Sequence, residues 1–264
     1  METTLEFAVR LARQAGDLLL GYFKKSDLSS SYKSDRSIVT EADLAADQLI
    51  TNTIKDHYPD NLVLSEELSP VYLDQNTFTD NSLWIIDPLD GTTNFSLGLP
   101  IWGIILTRLI DGLPETAVIN FPVLGEVFSV QKNQGAFLNQ DRLEIQSNDP
   151  KQSRSFFSCC SRAYGYYQVD IPYKIRILGS AGYSMCAVAR GSAIVSFEAR
   201  AKIWDIAAPW LLIKEAGGAI ETLDYSQPFP LQSGCDYSNQ SFPTLAAINS
   251  EILSRARRKI IPRD

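Results

Sequence analysis

The opening part of the chain repeats its apolar positions at a helical period. Ala8, Leu11, Ala12, Ala15, Leu18, Leu19 and Tyr22 recur three and four apart, behind Thr3 and Glu6, which have the spacing of a capping box. A second helix is predicted from Thr40, with Asp43 three residues on. Its apolar stripe is Ala46, Leu49, Ile50, Thr53 and Ile54, and it stops before Pro59. The polar run from Ser26 to Ser37 between them reads as a mobile loop or hairpin.

From Leu83 the period changes to that of strands. LWIID, IWGIILTRL, TAVINF and EVFSVQ are short apolar runs, broken by Asp111-Gly112-Leu113-Pro114 and by Pro122 to Gly125. Such spacing with turn chemistry predicts an antiparallel meander. After about Asp149 the pattern alternates strand and helix: KIRIL, a Gly179-Ser180 turn, a helix to Arg190-Gly191, then AIVSFEA. WDIAAPWLLIKEA follows as a helix that ends at Gly217-Gly218. A boundary near residue 145 is expected, between an α+β half (1–145) and an α/β half (146–264).

Composition narrows the partners. With 264 residues, 45% of them hydrophobic, the chain buries a sizeable core without disulfides or a structural metal. Twenty-four basic against 31 acidic residues give a net charge of −7, which repels nucleic acid backbones and anionic membranes. The dense basic run Arg255, Arg257, Arg258, Lys259 and Arg263 reads as a solvated tail. Cys159 and Cys160 are adjacent while Cys186 and Cys235 stand apart, so there is no zinc-type spacing and free thiols are expected. The start of the chain lacks a signal-peptide stretch, and no segment approaches the roughly 20 apolar residues of a membrane helix. A cytoplasmic protein with no nucleic-acid or membrane partner is the expectation.

The informative segment is WIIDPLDGTTNF, 84–95. A strand delivers Asp87 at its carboxyl end, Pro88 fixes the next φ, and Asp90 turns back towards the same point. Gly91 permits close backbone approach, and Thr92 and Thr93 open a helix with free N–H groups. Carboxylates hold hard cations and free N–H groups hold phosphoryl oxygens, so the segment fits phosphate chemistry; it also fits a plain acidic turn. Asp87 and Asp90 are three apart, which excludes an EF-hand. Glu66-Glu67 after Leu62-Val63-Leu64 offers a further ligand and base, or a surface pair. Asp205, at the mouth of the buried WDIAAPWLLIKEA helix, is either a cap or a ligand.

Taken together, these segments resemble the inositol monophosphatase family over nearly the whole chain. Its two signatures look like WIIDPLDGTTNF and IWDIAAPWLLIKEAGG here, and the order agrees: Lys33 in a loop, Asp43 in VTEAD, SEEL at 65–68, GSAG at 179–182, and Glu198 before Asp205. The resemblance implies a layered αβαβα sandwich of the sugar-phosphatase type. It implies two or three Mg²⁺ ions: the first on Glu66, Asp87 and the Leu89 carbonyl, the second on Asp87, Asp90 and Asp205, and a weaker third at Glu66. It further implies that Asp43 and Thr92, with Glu66, are catalytic and orient the attacking water. Asp90, Gly91 and Thr92 would bind the phosphate, and Ser180, Ala181 and Glu198 would line the side where the alcohol lies. Lithium sensitivity and a homodimer are implied too.

The reaction so implied is in-line hydrolysis of a small phosphomonoester. No catalytic histidine is required, and the single one, His57, reads as structural at a helix end; no GxxxxGK[ST] loop is present. Glu198 suits polyol hydroxyls, which points to inositol 1-phosphate, but it would equally attract an aminoalcohol such as histidinol phosphate. Arg200 and Lys202 leave open a second phosphate, as in fructose 1,6-bisphosphate or a 3′-phosphoadenosine compound. A non-catalytic regulatory binding protein on the same fold is the alternative from another class. Arg176, Tyr164, Tyr166 and Tyr167 are candidate interface residues or ordinary surface and core cover.

Overall fold

Thr3 closes the first turn of the chain: its N–H and hydroxyl donate to the Glu6 carboxylate at 2.8 and 2.9 Å, and the Glu6 N–H donates back at 3.2 Å. The helix so started, α1 (Thr4–Phe23), buries Phe7, Ala8, Leu11, Ala12, Ala15 and Leu19. Phe7 thus joins the expected stripe one residue ahead of Ala8, whereas Leu18 and Tyr22 are only half-buried. The computed structural model describes residues 2–23, 30–32, 38–67, 82–145 and 155–263; Lys33 and Leu68 lie outside them.

A hairpin of β1 (Ser30–Tyr32) and β2 (Ile38–Thr40) leads into α2 (Glu41–His57). Ala46, Ile50 and Ile54 are buried as expected, but Leu49 and Thr53 are only half-buried. The rest of the buried face is Ala42, Asp43, Asp47 and Thr51. Polar residues can lie there because they are satisfied internally: Asp47 accepts the Thr51 hydroxyl at 2.9 Å and the Ser65 hydroxyl as well. His57 stacks on Phe7 with ring centroids 4.5 Å apart, at the opposite end of α2 from Asp43.

The meander forms. β3 (Leu62–Ser65), β4 (Leu83–Asp90), β5 (Gly103–Ile110), β6 (Leu113–Phe121), β7 (Glu126–Gln131), β8 (Gly135–Leu138) and β9 (Asp141–Leu143) lie in sequence order in one seven-stranded sheet, with a short helix α3 (Thr92–Ser96) after β4. β3 runs parallel to β4, and every later pair is antiparallel. Asp111 and Gly112, at φ 52° and 72°, make the tight turn between β5 and β6. Pro114, expected in that turn, is already inside β6 opposite Leu109. Both faces of the sheet are covered, which is why its strands read as continuous apolar runs. Trp84, Ile86, Ile104, Leu106 and Val118 pack under α1 and α2. Ile85, Ile105, Ala117, Ile119 and Phe128 face the other way.

That other face meets α5 (Ala181–Ala189) and α6 (Ile203–Glu215), which separate the first sheet from a second. The second sheet has β10 (Phe156–Cys159), β12 (Ile175–Arg176), β13 (Ala193–Ala201), β14 (Ala219–Thr222) and β15 (Phe242–Ala247) in the order β12-β10-β13-β15-β14. KIRIL contributes only the two edge residues of β12, both exposed. The small elements α4 (Ala163–Tyr166) and β11 (Tyr167–Val169) follow β10, and α7 (Ser250–Arg257) packs outside the sheet. The layers run helix, sheet, helix, sheet, helix: a layered αβαβα sandwich. One core cluster crosses residue 145, from Ile85 and Phe128 to Phe197 and Leu245.

The basic C-terminal run is not a free tail. It forms α7 and β16 (Ile260–Pro262), which pairs with β11. Arg257 donates to Glu221 at 2.6 Å and to the Leu223 carbonyl at 2.7 Å, and Lys259 pairs with Asp170 at 2.5 Å. Tyr164 and Tyr167 pack on the core, Tyr167 edge-on to Phe197 at 5.0 Å. Among the described residues no helix is long and apolar enough to cross a membrane.

Candidate active site

In an unbroken strand, Asp87 and Asp90 would point to opposite faces. A one-residue bulge prevents this: Asp87 lies opposite Ile105, but Asp90 lies opposite Gly103. Pro88, which has no N–H to give the ladder, sits in the bulge. Asp87 keeps the face of Ile85, towards α5 and α6, and Asp90 joins it there. The Asp87 carboxylate accepts the Leu89 N–H at 3.0 Å.

Asp90 meets the start of α5. It accepts the N–H groups of Ala181 and Gly182 at 3.0 and 2.9 Å, and the Ser180 hydroxyl. A Cβ on Gly182 would lie 2.7 Å from Asp90 Oδ2 and 2.8 Å from Ile105 Cδ1. That position therefore has to be glycine for the carboxylate to approach. Ser180 also caps α5 by accepting the Tyr183 N–H at 3.0 Å.

Gly91, at φ 93°, turns the chain from β4 into α3, and a Cβ there would lie 3.0 Å from the Ile101 carbonyl. Thr92, the first residue of α3, donates its hydroxyl towards Asp43 Oδ1 at 3.2 Å and the Leu89 carbonyl at 3.1 Å. Asp43 is anchored from α2, where its Oδ2 accepts the Thr40 N–H at 2.8 Å and hydroxyl at 2.5 Å. Asn94 ties this corner to the second half, donating to the carbonyls of Ile101 and Leu178 at 2.7 and 2.8 Å.

Glu66 and Glu67 form the turn after β3, half-buried, and the Glu66 N–H donates to the Ile86 carbonyl at 3.2 Å. Asp205 is the third residue of α6, one turn past the cap position; its carboxylate accepts the Lys202 N–H at 2.7 Å. Glu198, buried on β13, lies beside Cys160 and Ser184. Lys202 donates its ammonium to the Ser238 carbonyl at 2.8 Å, and Arg200 lies over the exposed Tyr166 ring, so Arg200 has a partner away from the acids.

The electrostatics of the acids are dominated by burial and by one another. Burial, then Glu66, Asp90 and Asp205, push Asp87 well above the usual carboxylate range. Burial, then Glu66 and Asp90, do the same to Asp205, against its bond from Lys202. Burial raises Asp90 to about 6, opposed by its bonds from Ser180, Ala181 and Gly182. Glu198 rises to about 8 through burial and the charges of Asp205 and Asp90. Asp43 is raised mainly by burial. Buried like charges are stable when ionised only if a cation joins them, so this donor set of hard oxygens fits Mg²⁺. Among the described residues no three His, Cys, Asp or Glu side chains are already gathered into a coordination shell.

Glu66 after β3, Asp87 and Asp90 on β4, and Asp205 on α6 thus come within electrostatic reach of one another from three elements, Asp43 joins Thr92, and Ser180 and Ala181 join Asp90. Gly182, Asn94 and Cys160 are additions that sequence reading passed over. GSAG contained the signal for Gly182, since a glycine entering a helix needs a reason. Asn94 and Cys160 have no local signal.

The chain from residue 1 to 259 matches the model of the inositol monophosphatase family. It is 33% identical over 233 residues to Nus factor SuhB of Pasteurella multocida, covering 83% of this chain and 85% of that one. Identity is also 33% over 231 residues to a histidinol-phosphatase of Chlorobaculum parvum, with the same coverage of 83% and 85%. A fructose-1,6-bisphosphatase/inositol-1-monophosphatase of Thermotoga maritima is 32% identical over 228 residues, covering 82% and 83%. Among solved structures, a Thermotoga maritima IMPase superposes with a TM-score of 0.76 at 26% identity, covering 96% of both chains. An IMPase/NADP phosphatase complexed with Mg²⁺ and phosphate shares the fold, with a TM-score of 0.77 at 21% identity over 96% and 95% of the two chains.

Proposed function

The chain belongs to the inositol monophosphatase family, a family of phosphatases, and on that premise we propose that it is a Mg²⁺-dependent phosphomonoesterase acting on a small polyol phosphate. The observation that carries this reading is the mutual charge of buried Asp87 and Asp90, half-buried Asp205 and Glu66, each close enough to raise its neighbours. Glu66, Asp87, the Leu89 carbonyl, Asp90 and Asp205 would hold two or three Mg²⁺ ions. Among the described residues Asp90 Oδ1 accepts one hydrogen bond, from the Ala181 N–H, which leaves a lone pair for this. Bound there, the cations supply charge neutralisation for the phosphoryl group and acidify the attacking water.

The chain's own residues do the rest. Thr92 Oγ1 accepts a hydrogen bond from the water and donates its own to Asp43 Oδ1, which sets the direction of attack; as the water gives up a proton to Thr92, Thr92 passes its own to Asp43. The N–H groups of Gly91 and Thr92 receive the phosphate oxygens, and Asp90 fixes the loop that carries them. Ser180, Ala181 and Glu198 line the side of the departing alcohol. Glu198 accepts from polyol hydroxyls, and for that reason inositol 1-phosphate is the favoured substrate. The names of the relatives keep histidinol phosphate and fructose 1,6-bisphosphate in contention.

A homodimer is supported by an exposed apolar face. Leu97 and Leu99 are 69% and 46% exposed, and Ile175 and Ile177 are 43% and 52% exposed. Asn94 tethers the two segments that carry them. Four free thiols support a cytoplasmic setting. The second reading, a regulatory binding protein on this fold, is favoured by relatives named Nus factor. The complete set of acids weighs against the loss of catalysis.

The test is phosphate release with Mg²⁺ from inositol 1-phosphate, histidinol phosphate, fructose 1,6-bisphosphate and adenosine 3′,5′-bisphosphate. The reading requires inositol 1-phosphate to give the highest kcat/KM. A higher value for another substrate overturns the substrate assignment, and turnover of none overturns the enzyme.

A further inference from the structure

At the end of α6 remote from Asp205 lies a cavity of about 530 Å³, with walls from both halves of the chain. The helix rise from Asp205 to Lys214 is about 14 Å, so this cavity is separate from the acids. Its floor is aromatic: Trp210 and Phe229 meet edge to face with centroids 5.5 Å apart. Tyr225 stands at the rim, 77% exposed. It is held at φ 61°, the left-handed region, where a bulky side chain is an outlier. The Arg257 guanidinium lies 4.2 Å from the Tyr225 ring centroid.

The charges of the cavity do not cancel. Glu221 is taken by Arg257 at 2.6 Å, and Glu215 accepts the N–H groups of Asn133 and Gly135 at 2.8 and 3.0 Å. Lys132 and Lys214 have no ion pair among the described residues. Lys214 lies over the Trp210 ring, 5.2 Å from its centroid, and burial lowers the pKa of its ammonium. An anion placed beside it would offset that desolvation.

We propose that this cavity binds a small planar aromatic anion of nucleotide size, its ring against Trp210 and Tyr225 and its charged group at Lys214 and Lys132. The volume falls within the range of small-molecule sites, about 300–1,000 Å³. Aromatic walls recognise a planar ring, and unpaired lysines recognise its charge. The proposal is independent of the catalytic reading.

Calorimetric titration of the full chain in EDTA tests it with three probes. Cyclic AMP carries ring and charge but is a phosphodiester, adenosine carries the ring alone, and inorganic phosphate carries the charge alone. Cyclic AMP binds one to one, and the other two bind at least about tenfold more weakly. Lys214→Glu and Tyr225→Gly each weaken cyclic AMP binding at least about tenfold. Tyr225→Gly also relieves the left-handed backbone, so the fold survives. Absence of cyclic AMP binding at millimolar concentration overturns the proposal. Phosphate binding as tight as that of cyclic AMP does so too, as does binding that both variants leave unchanged.

Discussion

The Thr92 hydroxyl reaches Asp43 Oδ1 at 3.2 Å, joining the first residue of α3 to the first turn of α2. Each partner is fixed by something else: Asp43 by the N–H and hydroxyl of Thr40, and Thr92 by the left-handed turn at Gly91. A hydroxyl and a carboxylate held in this way can orient a water without reorganising. Asp43→Asn and Thr92→Val should each lower Mg²⁺-dependent phosphate release about 10²- to 10⁴-fold. Stability should fall by only about 1 kcal/mol, the worth of a cap. Urea unfolding alongside steady-state rates checks both. Drops below tenfold in both variants would remove the pair from the mechanism.

Gly182→Ala tests how closely Asp90 must approach α5. The added methyl would meet Asp90 Oδ2 at 2.7 Å and Ile105 Cδ1 at 2.8 Å, so the carboxylate or the helix has to move. The expected loss is about 1–3 kcal/mol of stability, together with most of the activity. Retention of wild-type rates by this variant would mean that the Asp90 position is not critical.

The buried acids give the metal-free protein an unusual pH dependence. Asp87 and Asp205 are raised well above 3.8, Asp90 to about 6 and Glu198 to about 8. Between their ordinary and raised values these groups bind more protons folded than unfolded, so stability falls as pH rises through that window. Without metal, the protein should therefore melt at a lower temperature at pH 8 than at pH 5. Mg²⁺ should raise the melting temperature more at pH 8 than at pH 5. A scan in EDTA showing the reverse order would contradict the reading of the acids.

Glu198→Gln separates substrate binding from metal binding. Near neutral pH a Glu198 raised to about 8 is largely neutral, and loss of a hydrogen bond to a neutral group is worth about 0.5–1.5 kcal/mol, or roughly 2- to 13-fold. The expected effect is a rise of that size in KM for inositol 1-phosphate, with the Mg²⁺ dependence of the rate unchanged. A shifted Mg²⁺ requirement at constant KM would instead put Glu198 among the metal ligands.

Much of this was legible in the sequence because local chemistry and tertiary role coincide. Thr40 with Asp43 reads as a cap and is one, and the runs of β4 to β7 have the length and turns of a meander. The geometry of Asp87 and Asp90 was only half legible. Pro88 marked a break in the strand, but the bulge depends on the register with β5. The buried face of α2 was misjudged because Asp47 and Thr51 are satisfied by each other and by Ser65, a contact across elements. The C-terminal run read as a tail because the partners of Arg257, Glu221 and the Leu223 carbonyl, belong to another strand and the loop after it.

Phosphate release from inositol 1-phosphate, with Mg²⁺ and after its removal by EDTA, for the wild type and for Asp90→Asn, tests the central claim most directly. Wild-type turnover should require Mg²⁺ and vanish in EDTA. Asp90→Asn should keep a cooperative unfolding transition and lose about 10²-fold or more in rate. Wild-type turnover that persists in EDTA, or an Asp90→Asn variant as active as the wild type, would contradict it.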